Sequence, residues 1–370
     1  MSLVARLANR SKDYLLFNPA LEGRWLRRAK GKVSALLYHR VDAPDGHAFL
    51  ARGGSPVIDP EAFRADMAFL VRSGARFFTF GELGAGAFPA PDEFGVAICF
   101  DDCFADNYTT GVDVLRSFGI RATFFQSTAM VDAQALIWEH RLYWHTRDDA
   151  HAAALAAVAA TVLARAASET ATGEPAVPAQ RPEVPAGETG AAATPAQRLE
   201  VPAGVAAIPA QRLVELLREA VPLETCLRVL EAADRELGEA SEMAEAARRI
   251  YPTAAQLRAA RSLGHEIGSH GHRHCKRTGI STAAFDRELA HSRAVLADLL
   301  GEPPRSFSYP FDSHLPGDAD VVRRYFSTAA TVAKRRIERG ADPLWLPRFT
   351  WPGPARNAFR QRRWLLTGTI

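Results

Sequence analysis

Short apolar runs and amphipathic stretches alternate along the first part of the chain. Residues 33–39, 96–100 and 122–127 are apolar runs of strand length. Between the first two runs lies a helical pattern that begins at Asp59 and Pro60, which suit an N-cap and a first helical position. This alternation of periods predicts β-strands separated by α-helices.

The same alternation resumes in the last third of the chain. Thr253 opens a Thr-x-x-Gln sequence, which predicts a helix start with a capping box. Strand-like runs follow at residues 265–270, 306–310 and 327–332. Strands that alternate with helices form parallel sheets, so we predict an α/β fold closed into a barrel. In such barrels the chemistry lies at the carboxyl ends of the strands.

The segment between these two parts has a different composition. Residues 149–211 are rich in Ala and Pro and contain a repeat, PAQRPEVPAG at 178–187 and PAQRLEVPAG at 195–204. Such a segment has too few bulky apolar side chains to form a core, which predicts a disordered loop. Helical patterns flank it over residues 150–168 and 209–248.

These patterns divide the chain into four parts. We expect a basic amphipathic segment over residues 1–32, a barrel domain over 33–350 and a tail over 351–370. The barrel domain is interrupted by a helical insertion over 133–250, which contains the low-complexity Ala/Pro repeat over 170–208.

Composition narrows the class of protein. The chain has 370 residues, of which 47% are hydrophobic, and a net charge of +3 that is too small to indicate a nucleic-acid binder. No apolar run reaches the length expected of a signal peptide or of the ~20 residues that span a bilayer. The cysteines lack CxxC spacing and fit a reducing compartment, so we expect a cytoplasmic protein. They are Cys99, Cys103, Cys226 and Cys275.

Carboxylates and imidazoles follow two of the predicted strands. Asp101 and Asp102 come directly after the apolar run "ICF", and His270 and His274 come after the run at 265–270. If the strands are parallel, these ends share one rim of the barrel. A carboxylate and two histidines form a three-ligand site with a position open for water, and zinc would lower the pKa of that water to ~7. One aspartate can then bind metal while the other accepts a proton.

Each motif alone also has a structural explanation. An Asp-Asp pair after a strand often caps a helix, and "HGHRH" could be a solvated loop. Because both motifs occur at strand ends of one alternating fold, we favour the metal site.

Three motifs in order resemble those of the polysaccharide deacetylase family, which shares the NodB homology domain of carbohydrate esterase family 4. They are "ICFDDCFADNY", "SHGHRH" and "FSYPFD", with "LLYHRV" and "ATFF" as further matches. The resemblance covers about residues 33–132 and 250–350. It implies a distorted (β/α) barrel of about seven strands, a divalent metal for which we expect Zn²⁺, and hydrolysis of an N- or O-acyl group on a carbohydrate.

The resemblance also implies roles for individual residues. By motif position, Asp101 would be the general base, and the metal ligands would be Asp102, His270 and His274. The backbone amides near the third motif would help the metal to hold the oxyanion. That motif places Tyr309, Pro310 and Phe311 at this position.

The sequence departs from the family pattern at several positions. Cys103 and Asp312 replace glycines of the first and third motifs. Cys103 and Cys275 each follow a proposed ligand, which leaves a thiolate ligand as an alternative to Asp/His/His. The Leu-x-His motif that carries the general acid in many members is missing near the C-terminus. His39, at the end of the first strand, is our candidate for that acid, and His314 is the alternative.

The function that these features favour is removal of an acetyl or other acyl group from an amino sugar or a glycan precursor by a metal-dependent deacetylase. Two alternatives stay open: a catalytically impaired carbohydrate-binding protein, and an amide hydrolase for small molecules that are not sugars. "IWEHRLYWH", at residues 137–145, carries aromatic side chains that could wall the cleft, although a packed core is the preferred interpretation.

Both ends of the chain combine basic and aromatic residues. Trp25 lies beside Arg27 and Arg28, and "FRQRRWLL" occupies residues 359–366. Such patches are attracted to anionic lipid surfaces, which predicts peripheral contact with the inner membrane face. The alternative is that both ends pack on the barrel and expose only their arginines.

Overall fold

The structure is a computed structural model that describes residues 19–43, 47–54, 56–172, 205, 208–353 and 358–367. Its strands are β1 (Val33–Tyr38), β2 (Arg40–Val41), β3 (Val57–Ile58), β4 (Arg76–Phe77), β5 (Gly95–Phe100), β6 (Thr123–Gln126), β7 (Glu266–Ser269), β8 (Ser306–Ser308), β9 (Thr328–Val332) and β10 (Leu346–Thr350).

Seven parallel strands close into a barrel. The order around the ring is β1-β10-β9-β8-β7-β6-β5, and the pairing of β1 with β5 completes it. β4 pairs with the start of β5, and β2 pairs with β3 as a small separate sheet. The predicted α/β fold with a barrel of about seven strands is therefore confirmed.

Most helices cover the barrel, and those that lie between β6 and β7 in the sequence form a separate layer. They are α1 (Pro19–Ala29), α2 (Pro60–Arg72), α3 (Phe80–Gly84), α4 (Val112–Ser117), α5 (Trp138–Trp144), α6 (Asp149–Thr172), α7 (Ala210–Glu215), α8 (Leu223–Leu237), α9 (Ala240–Ile250), α10 (Ala254–Ser262), α11 (Thr282–Leu300), α12 (Asp318–Val322) and α13 (Ala358–Thr367). Single π turns, Asn107–Gly111 and Leu216–Ala220, precede α4 and follow α7.

The helix starts predicted from the sequence have the expected caps. The Asp59 side chain accepts hydrogen bonds from the amides of Glu61 and Ala62 at the start of α2, where Pro60 lacks an amide hydrogen. Thr253 and Gln256 form a reciprocal capping box at the start of α10. Local side-chain chemistry therefore fixes where these helices begin.

One barrel strand is absent from the sequence-based prediction. β10 contains Pro347, and a proline within a run argues against a central strand because it cannot donate a ladder hydrogen bond. The structure nevertheless pairs Pro347 with Thr331 of β9. The run predicted over 306–310 is also shorter than expected, because β8 ends at Ser308 and a 3₁₀ turn, Pro310–Asp312, follows.

The helices between β6 and β7 have a core of their own. One side of α6 buries Leu155, Ala159 and Leu163 in the same cluster as Val229 and Leu230 of α8. Over Asp149–Glu169, α6 is long and apolar enough to cross a membrane by length and composition. The expectation that no stretch reaches that length is therefore wrong. The buried side of α6 nevertheless packs against other helices of the same layer. The Ala/Pro repeat predicted over 170–208 lies almost entirely outside the described residues.

The two terminal helices contact each other on the outside of the barrel. Trp25 of α1 and Trp364 of α13 are both buried in the main hydrophobic cluster. Arg27, Arg28 and Arg362 remain exposed. The indole rings therefore contribute to the core, and these exposed arginines are available to a surface.

Candidate metal centre and catalytic residues

Three predicted ligands meet at the carboxyl ends of the strands. Asp102 follows β5, and His270 and His274 follow β7, with β6 between the two strands. One ligand atom from each of the three lies within 4.8 Å of the others. The Nε2 atoms of His270 and His274 are 3.4 Å and 3.1 Å from Oδ1 of Asp102. All three side chains are buried, so the loops that leave β5 and β7 bring them together away from solvent.

The second nitrogen of each imidazole has its own partner. Nδ1 of His270 lies 2.8 Å from the backbone carbonyl oxygen of Ser308, at the end of β8. Nδ1 of His274 lies 2.7 Å from Oε2 of Glu139, on α5. Donation from Nδ1 to these oxygens leaves the lone pair of each Nε2 directed toward Asp102. The orientation of both rings therefore fits metal-binding histidines, whose neutral form would donate from Nδ1 and coordinate through Nε2.

The charges of the cluster fit a cation. Burial alone would lower the pKa of His274, but the carboxylates of Asp102 and Glu139 raise it to about 10. Burial alone would raise the pKa of Asp102, but His274 and His270 hold it well below its usual value. The two carboxylates thus attract positive charge to this position. One aspartate and two imidazoles are also the hard and borderline donors that zinc and similar divalent ions take.

Asp101 is paired with an arginine of β10 and lies beside the three ligands. Arg348, fully buried on β10, donates to both carboxylate oxygens of Asp101 at 2.6 Å and 2.9 Å. The Ser308 hydroxyl donates to Oδ2 of Asp101 at 3.1 Å and accepts from Arg348 at 2.8 Å. Burial would raise the pKa of Asp101, but the guanidinium outweighs it and the pKa is lowered. Asp101 is therefore an ionised, fixed carboxylate, and its Oδ2 lies 3.9 Å from Nε2 of His270.

The geometry of the two aspartates differs from the sequence-based expectation. Extended backbone would send their side chains to opposite sides of a strand. Asp102 and Cys103 instead have φ of 64°, in the left-handed region. Asp312 has φ of 51°, and His274 has φ of 56°. Both positions where the family pattern has glycine therefore keep a conformation that favours glycine, although Cys103 and Asp312 occupy them.

His39 lies at the same rim, between β1 and β2. Burial lowers the pKa of this imidazole, and the carboxylates of Asp102 and Asp101 offset that lowering only in part. The Asn107 side chain donates to the His39 carbonyl at 2.8 Å and holds the backbone. Nδ1 of His39 has no hydrogen-bond partner among the described residues. His314, the alternative acid, is exposed and packs against Trp345.

The residues of the third motif have two different environments. The Tyr309 ring is buried and stacks on Trp345 with centroids 5.7 Å apart, so its side chain belongs to the core. Pro310 is buried, whereas the half-buried Phe311 ring lies 4.5 Å from the His274 ring. The predicted role of their backbone amides at an oxyanion stays a prediction.

The thiols do not join the ligand group. Burial raises the pKa of Cys103 well above its usual value, and Sγ of Cys103 lies 3.5 Å from the Phe100 carbonyl. Burial likewise raises the pKa of Cys275 to about 12. Among the described residues, only Asp102, His270 and His274 form a group that could hold a metal. The geometry favours the Asp/His/His set over a thiolate ligand.

Sequence reasoning missed two residues that hold the site. Arg348 lies in "LWLPRFTW", a segment that lacks the histidine of the family pattern and in which the sequence predicts no strand. Glu139 lies in "IWEHRLYWH", whose most prominent feature is its aromatic side chains. A charged residue inside an apolar run was the available signal in both cases, because such a residue needs a buried partner.

Comparison with known proteins agrees with the geometry. A model of the polysaccharide deacetylase family matches residues 89–157 and 234–325, which include all four side chains of the Asp-Asp and His-x-x-x-His motifs. The resemblance to the polysaccharide deacetylase family is confirmed. The gap between the matched segments contains the Ala/Pro repeat and the helices beside it. No curated protein sequence matches the chain.

Solved structures share the polysaccharide deacetylase fold with this chain. BC0361, a polysaccharide deacetylase from Bacillus cereus, has 14% sequence identity and a TM-score of 0.50, over 90% of this chain and 69% of that one. IcaB from Ammonifex degensii has 15% identity and a TM-score of 0.50, over 91% of this chain and 97% of that one. At such identities the likeness shows the common fold.

Proposed function

We propose that the protein is a metal-dependent hydrolase that removes an N-acetyl or other acyl group from an amino sugar or a glycan precursor. One observation supports this most strongly: an Asp/His/His cluster lies beside a second carboxylate that Arg348 keeps ionised. A cation site and a fixed base within one buried rim are the parts that amide hydrolysis by water requires.

Asp102, His270 and His274 would hold the divalent ion, for which Zn²⁺ is our expectation. When bound, it would supply Lewis acidity for the acyl carbonyl and for water. Asp101 accepts the proton of the attacking water, because Arg348 and Ser308 fix both its oxygens and leave it charged. The amides near Phe311 are our proposed donors to the oxyanion.

A proton must also reach the leaving amine. His39 is our proposed donor, since it is half-buried at the rim and its buried Nδ1 is unpaired among the described residues. The negative charges of Asp102 and Asp101 favour a proton on His39. After water attack, Asp101 would pass the proton of the water to His39, which would give it to the amine. His314 is less suited, because it is exposed beside Trp345.

The place of action also stays a proposal. We infer a substrate made in the cytoplasm and a peripheral contact with the inner membrane face. Because Trp25 and Trp364 are buried, that contact would rest on the exposed arginines Arg27, Arg28 and Arg362 among the described residues, and it should weaken at high salt.

The test combines metal analysis with a deacetylation screen. Purified protein should contain about one zinc ion per chain and release acetate from at least one nucleotide-linked, lipid-linked or polymeric amino sugar. Asp102→Ala should lose both metal and turnover. Asp101→Asn is the matched variant: it should keep its metal and lose turnover by ~10²–10⁴-fold, since it removes proton transfer and no ligand.

Four outcomes would contradict the proposal. Purified wild-type protein that contains no metal would refute the metal site. Equal metal loss in both variants would show that Asp101 and Asp102 do not have separate roles. Metal binding with no acetate release would favour the carbohydrate-binding alternative. Turnover restricted to amides that are not sugars would favour the small-molecule hydrolase.

A further inference from the structure

The helical insertion contributes directly to the candidate metal centre. Glu139 is buried on α5 and lies 135 residues from His274 in sequence, yet its Oε2 is 2.7 Å from Nδ1 of that ring. The indole Nε1 of Trp138 donates to the carbonyl groups of Arg273 and His274 at 3.1 Å and 3.3 Å. One turn of α5 therefore holds both the side chain and the backbone of the His274 loop.

We propose that Glu139 is a positioning residue: it fixes the ring of His274 and thereby sets the affinity of the site for its divalent cation. This inference rests on the metal-dependent function proposed above, but it assigns to the insertion a role that the barrel motifs do not contain. Carboxylate partners of ligating imidazoles fix the tautomer and orientation of the ring.

The contacts of Glu139 are arranged for this task. Its Oε1 accepts a hydrogen bond from the Tyr143 hydroxyl, one helical turn further along α5. Arg218, in the π turn after α7, donates to the Tyr143 oxygen at 3.2 Å and lies 3.7 Å from Oε1. Oε2 is thereby left to His274. The carboxylate is fixed through one oxygen and fixes the imidazole through the other.

The orientation of His274 depends more strongly on Glu139 than the orientation of His270 depends on any side chain. His270 is held by a backbone carbonyl of β8, which belongs to the barrel itself. His274 lies outside a strand, with φ of 56°, and its ring contacts Phe311 at a centroid distance of 4.5 Å. The two ring planes are tilted by 41°, so this contact leaves rotation of the imidazole about χ2 to be fixed by the hydrogen bond to Glu139.

The experiment is a titration of the metal-free full-length protein with Zn²⁺ against a chromophoric chelator. Glu139→Ala should weaken zinc binding by ~10–100-fold. Glu139→Gln should weaken it less, because an amide oxygen still accepts from Nδ1 but carries no charge. The melting temperature of each zinc-free variant is measured in parallel and should change little relative to the change in affinity.

Glu239→Gln is the matched control on the same insertion. Glu239 accepts hydrogen bonds from Trp144 and Arg147 and does not contact the cluster. Its loss should lower the stability of the insertion and leave the zinc affinity of the folded protein unchanged.

The outcomes separate this inference from the proposed function. Wild-type zinc affinity in Glu139→Ala would overturn the inference, as would equal loss of affinity in Glu239→Gln. Zinc binding that depends on Glu139, in a protein that deacetylates no glycan, would support the inference and refute the proposed function. A wild-type protein that binds no zinc would refute both.

Discussion

The two imidazoles of the candidate metal centre are held by two different regions. His270 is fixed by the barrel, through the carbonyl oxygen of Ser308 in β8. His274 is fixed by the helical insertion, through the carboxylate of Glu139 in α5. The barrel holds its ligand with backbone, which every sequence has, whereas the insertion uses one particular side chain. A side-chain change at Ser308 should therefore leave His270 in place, whereas a change at Glu139 should alter the position of His274.

The same contrast holds for the carboxylates. Asp101 is paired within the barrel by Arg348, which has no exposed surface. Glu139 has Arg218 as its nearest arginine, at 3.7 Å, and that side chain is 21% exposed. Loss of Arg348 would leave the buried Asp101 carboxylate without its arginine. Glu139 is just as buried, but it would keep its hydrogen bonds to Tyr143 and His274 if Arg218 were lost. Removing each arginine in turn therefore compares the two regions directly.

The largest expected effect is that of Arg348→Met. It leaves the Asp101 carboxylate buried without its cation, which should lower the free energy of unfolding by ~3–5 kcal/mol and abolish turnover. Urea denaturation and acetate release would measure both. Arg218→Met should cost only ~1 kcal/mol, because Glu139 keeps its hydrogen bonds to Tyr143 and His274. Equal losses from the two variants would show that the regions do not differ in this way.

Ser308→Ala gives a smaller effect with which the loss of Arg348 can be compared, because it removes one hydroxyl and keeps the ion pair. Its hydroxyl donates to Asp101 and accepts from Arg348, so its removal should cost ~1 kcal/mol. The main-chain contact of Ser308 to His270 stays in place. Zinc affinity should therefore be retained in Ser308→Ala while turnover falls.

A smaller and pH-dependent effect comes from Asp66, on the α2 side of the barrel. Its Oδ2 accepts from the Tyr38 hydroxyl at 3.1 Å and from Gln361 at 2.6 Å. No ion pair to Asp66 is found among the described residues. Burial raises its pKa to about 7. Because the folded-state pKa lies above the unfolded one, this group stabilises the fold fully below pH ~4, and the contribution is lost as pH rises through 7.

Asp66→Asn should therefore be more stable than the wild type at pH 9, by an amount on the order of 1–4 kcal/mol, and close to it at pH 5. In the insertion, burial would raise the pKa of Glu239, but Arg147 and its other donors lower it to about 2. Its contribution is lost only as pH falls through that value. The difference in free energy of unfolding between Glu239→Gln and the wild type should thus stay constant between pH 5 and 9. A difference for Asp66→Asn that also stays constant over this range would contradict the raised pKa of Asp66.

How far the sequence predicts the site follows the same division between regions. Asp101, Asp102, His270 and His274 were predicted because strand ends and short motifs place them within a few residues of each other along two loops. Arg348 and Glu139 were missed because their partners are distant in sequence and no local spacing reveals them. β10 was missed for a related reason: Pro347 contradicts a strand locally, while the closed ring requires one.

The smallest expected effect is that of removing residues 173–204 and joining the ends with a short Gly/Ser linker. Few of these residues have large apolar side chains, so little burial should be lost. Loop closure changes by only ~0.6 kcal/mol for each doubling of length. Val205 is buried and is kept. The melting temperature and zinc affinity should match those of the full chain, because α5 and the Arg218 turn are untouched. A large loss of stability would mean that the repeat packs on the protein, and weakened zinc binding alone would mean that it supports the Glu139 side of the site.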